Sequence, residues 1–167
     1  IQLANAAGAR TIAVAGGEKK VALARDVGAD VVIDHQATPD WVDVVREASG
    51  GGVDVAYDPV GGDTFHQVRR CMGWDGRLLV IGFVAGIPEV ATNHVLLKSY
   101  SIVGVHWGAS LGRRPESLGE QMTTLLELAT TGAIDPPLYP PYAFDDAATA
   151  LQDLANRATY GKVVVTL

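Results

Sequence analysis

A doubly wound α/β fold with a mostly parallel sheet, three layers deep, is predicted by this sequence. Two observations carry the prediction. Short apolar runs alternate with helical patterns along most of the chain, at the spacing of βαβ units. The runs are continuously apolar, as expected of strands covered by helices on both faces. Crossovers between such strands are expected to be right-handed.

The elements follow in order. Ile1 to Ala7 reads as the back half of an amphipathic helix, with Gly8 closing it. The chain is therefore expected to begin inside an element and to be a fragment. Thr11 to Ala15 is a buried strand bounded by glycines. Glu18 to Val27 has helical spacing, with Val21, Leu23, Ala24 and Val27 apolar. Asp30 to Asp34 is a second strand. Thr38 is placed as N-cap of a helix from Pro39 to about Ala48, with proline in the first turn. Gly50, Gly51 and Gly52 stop that helix. Val53 to Tyr57 is a third strand, Gly62 to Met72 a helix, and Arg77 to Ile81 a fourth strand. Thr92 to Tyr100 reads as a short helix and Ser101 to Val105 as a fifth strand. A longer helix runs from about Pro115 to Thr131 and stops at Gly132. Pro136 to Phe144 is extended, Asp145 caps a last helix through Asn156, and Lys162 to Thr166 is a final strand.

Composition narrows the function classes. The 167 residues fit one domain and are 48% hydrophobic, enough for a single core. The net charge of -6 argues against nucleic-acid binding. The single cysteine, Cys71, excludes an internal disulfide and a cysteine-rich zinc site, and reads as a buried structural thiol. A cytoplasmic location is the matching expectation. No apolar run reaches membrane-spanning length.

In an open parallel sheet, ligands bind beyond the C-terminal ends of the strands. Gly16, Gly17, Glu18, Lys19 and Lys20 follow the first strand, and Asp34 and His35 the second. Asp58, Pro59, Val60, Gly61 and Gly62 follow the third, Gly82, Phe83 and Val84 the fourth, and His106, Trp107 and Gly108 the fifth. Small residues there let a ligand approach the backbone closely. A strand ending in Gly16-Gly17 lacks the acid that would bond the ribose hydroxyls of NAD. Lys20, with Lys19 beside it, instead suits a 2′-phosphate, and so NADP. A solvated basic turn is the alternative, although lysines at a helix start oppose its dipole. Asp34 and His35 read as a loop or an adenosine-side contact, with a catalytic pair as the lesser alternative. His66 and His94 read as helix-borne surface or half-buried histidines. The four histidines have no metal-ligand spacing, so no metal is expected. There is no Gly-x-Ser-x-Gly elbow and no Gly-x-Gly-x-x-Gly or Walker loop.

Several segments together resemble the medium-chain dehydrogenase/reductases. They are Ala15 to Lys20 with Ala22 to Asp34, Gly52 to Gly62, Gly76 to Phe83, and Gly161 to Val165. Tyr57 to Gly62 with Gly76 to Phe83 is most similar to the zinc-free quinone oxidoreductase branch. The resemblance implies the Rossmann-like cofactor domain of such an enzyme, spanning 1–167, with its first strand and glycine-rich loop missing. A GroES-like substrate domain would lie outside this chain. It also implies NADP(H) as cofactor and hydride transfer to a quinone or an α,β-unsaturated carbonyl. Gly17 and Lys20 would meet the adenosine phosphate, and Gly16 would be a further cofactor-binding residue. His35 stands where NADPH-specific members often carry a tyrosine. Val60, Gly61, Gly82, Phe83, Val84, Val105, His106 and Trp107 would line the nicotinamide side. Arg157 and Lys162 would be further cofactor contacts, with surface charge as the alternative. No general acid is assigned, and the fragment alone is expected to be inactive. The strand from Ser101 to Trp107 would pair across a two-fold axis into a homodimer. Two rivals stand beside this reading: a zinc-type alcohol dehydrogenase relative, and a non-catalytic Rossmann-like dimerisation module.

Overall fold

The computed structural model describes residues 1–167. Strands and helices alternate as the sequence predicts, and every recorded strand pair is parallel. No helix is long and apolar enough to cross a membrane. The chain divides into two compact units: Ile1–Asp34 with Met122–Leu167, and His35–Gln121.

The first unit opens with helix α1 (Gln2–Ala6), closed by Gly8 at φ 79. Strand β1 (Ile12–Ala15) pairs with β2 (Val31–Asp34), placing Ala15 opposite Asp34. Helix α2 (Glu18–Asp26) joins them and buries Val21 and Ala24, three residues apart on one face. At the other end of the pair, the Asp30 carboxylate accepts from the Thr11 amide at 2.7 Å. That hydrogen bond holds the Asp30 carboxyl below its ordinary range. The C-terminal part of the unit contributes a two-stranded sheet, β6 (Tyr142–Ala143) and β7 (Val165–Thr166), and helix α8 (Ala147–Ala155).

The second unit carries α3 (Trp41–Ala48), β3 (Val53–Asp58), α4 (Gly62–Cys71), β4 (Met72–Val80), α5 (Thr92–Lys98), β5 (Ser101–Gly104) and α6 (Trp107–Arg113). Its sheet has the order β3-β4-β5. The register sets Asp58 opposite Val80 and Val80 opposite Gly104, so three strand ends finish level. Phe65, Met72, Leu78 and Tyr100 form the core, with Val53, Ala56, Val68, Val80, Val95 and Ile102 packed on it. Helix α7 (Glu116–Thr130) runs across the division between the units.

Several boundaries differ from the sequence reading. Asp40, not Thr38, occupies the N-cap position of α3, and Thr38 offers its carbonyl, not its hydroxyl, to the Trp41 amide. Pro39 therefore precedes the helix. Asp146, not Asp145, precedes α8, because Phe144–Asp146 forms a 3-10 turn first. The fifth strand stops at Gly104, and Trp107 begins a helix the sequence reading lacks. The last strand is confined to Val165–Thr166, with Lys162 making only an isolated bridge to Leu138. Strand β4 starts at Met72, five residues before Arg77, with a register shift opposite Val53 to Val55 and φ 57 at Asp75. The expected single sheet is recorded as three. Val55 and Tyr57, which share a face of β3, are 47% and 68% exposed, so that strand is not covered on both sides.

Candidate functional site

The residues expected to meet a ligand fall in two groups, one in each unit. In the first unit, the chain leaves β1 through Gly16 and Gly17. Gly17 has φ 84 and stands at the N-cap of α2, a backbone that favours glycine. Its amide donates to Asp34 Oδ1 at 3.1 Å, so the end of β2 anchors the turn that follows β1. Lys20 lies in the first turn of α2. Its Nζ donates to the carbonyl oxygen of Arg157 at 3.3 Å, across 137 residues of sequence. Arg157 sits just past α8 with φ 58. Lys20 is thus brought against the backbone of Arg157, a residue singled out separately in the sequence. Lys162 lies elsewhere: its amide donates to Pro137 and its carbonyl accepts from Tyr139.

In the second unit, the loops after β3 and β4 interlock. The Val60 carbonyl accepts from the Ala85 amide at 2.9 Å, and the Gly62 amide donates to the Gly86 carbonyl at 2.8 Å. A Cβ on Gly61 would stand 2.6 Å from the Gly86 oxygen and 2.8 Å from Phe83 Cα, so only glycine fits. Phe83 and Val84 project outward, 56% and 77% exposed. Val105 continues from β5, its amide donating to the Val80 carbonyl at 3.0 Å. His106 and Trp107 are exposed at the start of α6, and the Trp107 indole donates to Gln121 at 2.8 Å. His35 is exposed in the turn after β2. His66 and His94 lie in α4 and α5, both partly buried.

Two side chains matter more here than the sequence reading suggested. Asp34, weighed there beside His35, is the anchor of the Gly17 turn. Asp58, noted only by position, is buried, and its Oδ1 accepts from the amides of Val60 at 2.8 Å and Gly61 at 3.1 Å. The signal was present: an Asp followed two and three residues on by free amides forms an Asx turn.

Comparison with known proteins places this arrangement. The family described as zinc-binding dehydrogenase matches residues 1–129. The chain belongs to that family. It is 34% identical over 165 residues to the quinone oxidoreductase-like protein 2 homolog of Nematostella vectensis, covering 97% of this chain and 45% of that protein. The chain thus spans about half the length of the relatives it matches. It is similar to a probable oxidoreductase from Mycobacterium abscessus, with TM-score 0.85 and 34% identity, covering 100% of this chain and 49% of that one. It is also similar to Escherichia coli quinone oxidoreductase, solved in complex with NADPH, with TM-score 0.87 and 29% identity over 99% of this chain and 52% of that one. This zinc-binding dehydrogenase region has the parallel strands alternating with helices of the Rossmann-like part of those enzymes. It is similar over nearly its whole length to about half the length of proteins of the quinone oxidoreductase type. Zinc stands in the family's name, yet no group of three His, Cys, Asp or Glu is placed to hold a metal ion. The residues present do not fit one.

Proposed function

We propose that this chain is the NADPH-binding part of an oxidoreductase that transfers hydride to a quinone or an α,β-unsaturated carbonyl. The observation that carries the reading is Lys20, seated on the Arg157 carbonyl in the first turn after Gly16-Gly17, a strand end with no acid of its own in sequence. A lysine beside a glycine turn suits a 2′-phosphate, and the Asp34 carboxylate of the neighbouring strand is engaged by the Gly17 amide. When bound, NADPH supplies the hydride. The chain's own residues bind and orient. Gly16, Gly17, Lys20 and Arg157 take the adenosine phosphate, with His35 on the adenosine side and Lys162 an outlying cation. Val60, Gly61, Gly82, Phe83, Val84, Val105, His106 and Trp107 flank the nicotinamide. The glycines of the interlocked loops leave the ligand close access to backbone, and the exposed Phe83 and Val84 offer it apolar cover.

Residues 1–167 make up most of one cofactor domain in this reading. Both sheets, β1-β2 and β3-β4-β5, are parallel, as such a domain requires. In this reading the first strand, the glycine-rich loop and a substrate domain lie outside residues 1–167. Strand β5 is the edge of its sheet, which supports pairing with a second copy through Ser101–Gly104.

The test is a fluorescence titration of the full-length protein with NADPH and NADH side by side. Tighter NADPH binding that Lys20→Ala abolishes is the expected result. Equal affinity for both cofactors would remove the NADP assignment, and failure to bind either would leave the dimerisation module as the reading. Metal analysis of the same protein separates the zinc alcohol dehydrogenase alternative.

A further inference from the structure

We infer that Asp58 is a positioning residue for the nicotinamide end of the cofactor, an inference that rests on the NADPH reading above. The Asp58 side chain is 3% exposed, at the last position of β3. Its backbone is committed to the sheet, since its carbonyl accepts from the Ile81 amide at 2.9 Å. Its carboxylate is committed to the loop, through Val60 and Gly61. The residue therefore ties a rigid strand end to a turn that no other recorded side-chain hydrogen bond holds.

The consequence reaches beyond the turn. Fixing Val60 and Gly61 fixes the carbonyl that receives the Ala85 amide and the glycine against which Phe83 and Gly86 pack. The hydrogen bonds among them are all backbone to backbone. Asp58 is thus the side chain that ties the end of β3 to the turn on which the loop carrying the outward-facing Phe83 and Val84 packs. Hydrogen bonds from amides to an ionised carboxylate are the stronger kind, and a buried one left unmade is costly. With the carboxylate removed, the two amides lose their acceptor and the loop pair loses its register on the strand end. The group that binds the 2′-phosphate lies in the other unit, with Gly17 held by Asp34, so it does not depend on this turn.

The experiment compares Asp58→Ala and Asp58→Asn in the full-length protein, using NADPH and adenosine 2′,5′-bisphosphate as probes. The bisphosphate carries the phosphate end of the cofactor and no nicotinamide. Asp58→Ala, which removes the acceptor of both amides, is expected to weaken NADPH about tenfold, with bisphosphate affinity unchanged. Asp58→Asn keeps an acceptor oxygen and is expected to restore most of the NADPH affinity. Amide exchange at Val60 and Gly61 should rise in step with the loss. Equal weakening of both probes, or no weakening of NADPH, overturns the inference. If Asp58→Ala does not fold, Asp58→Asn decides: faster exchange at Val60 and Gly61 without any change in NADPH affinity overturns it too. Wild-type protein that binds the bisphosphate but not NADPH also overturns it. Wild-type protein that binds neither probe sinks the function reading first.

Discussion

The ammonium of Lys20 donates to the carbonyl oxygen of Arg157 at 3.3 Å, and the Arg157 backbone is left-handed where it does so. One residue comes from the first turn of α2, the other from the end of α8. The carbonyl holds the lysine in the first turn of α2.

Lys20→Ala should raise the Kd for NADPH about 10- to 100-fold, the loss of a hydrogen bond to a charged group. The Kd for NADH should stay within about twofold, since it lacks the 2′-phosphate. Arg157→Gly separates the two parts of its neighbour. It relieves a positive φ and should gain up to ~1 kcal/mol of stability in urea titration. The same variant removes the guanidinium and should weaken NADPH.

Gly61→Ala should destabilise the protein by ~2–4 kcal/mol, because the new methyl meets the Gly86 oxygen and φ is 70. Gly119→Ala, at the fourth residue of α7, is the control. Nothing lies within 4 Å of its Cβ position. That change should gain ~0.5–1 kcal/mol. Equal effects of the two substitutions would contradict the tight fit of the loops.

Burial pushes the Cys71 thiol up to about 11, against the downward pull of Lys98 and Arg70. At pH 8 the thiolate fraction is then on the order of one in a thousand. Native protein should react with a disulfide reagent only as fast as it opens. Urea should make the reaction rapid, which a stopped-flow absorbance trace reads directly.

His94 packs edge-on against Tyr100, ring centroids 5.7 Å apart, and burial, with Arg69 and Lys98 nearby, keeps it neutral below its ordinary value of 6.5. The unfolded chain therefore takes up a proton before the folded chain does. Stability from this residue is complete above about pH 6.5 and falls as pH drops from there toward the folded pKa. Urea midpoints measured between pH 7.5 and 5.5 should decline, and His94→Gln should flatten that part of the decline. A wild-type profile no steeper than the variant's would contradict this.

The sequence alone determined what rests on near neighbours. Periodicity and apolar runs located the strands of the main sheets and most helices, and Gly8, Gly50 and Gly132 marked three helix ends at positive φ. Cys71 was legible as a buried thiol in a helical pattern. Caps were less legible. Thr38 and Asp145 are sound N-cap types, yet the helix starts fall at Asp40 and Asp146. A cap depends on which amides the neighbouring structure leaves unpaired. Helix α6 was missed because Gly108 and Gly112 interrupt its seven residues and its face buries nothing.

Only the tertiary structure decided what joins distant residues. Lys20 and Arg157 were each chosen as cations, but nothing local places them in contact. The parallel pairing of β1 with β2 and the course of α8 do that. Asp58 is an ordinary turn residue until the loop after β4 closes on the turn it holds. Local conformation follows from each residue's own sterics and hydrogen-bonding groups, which a sequence displays. The meeting of loops follows from sheet register, which packing of the whole unit fixes.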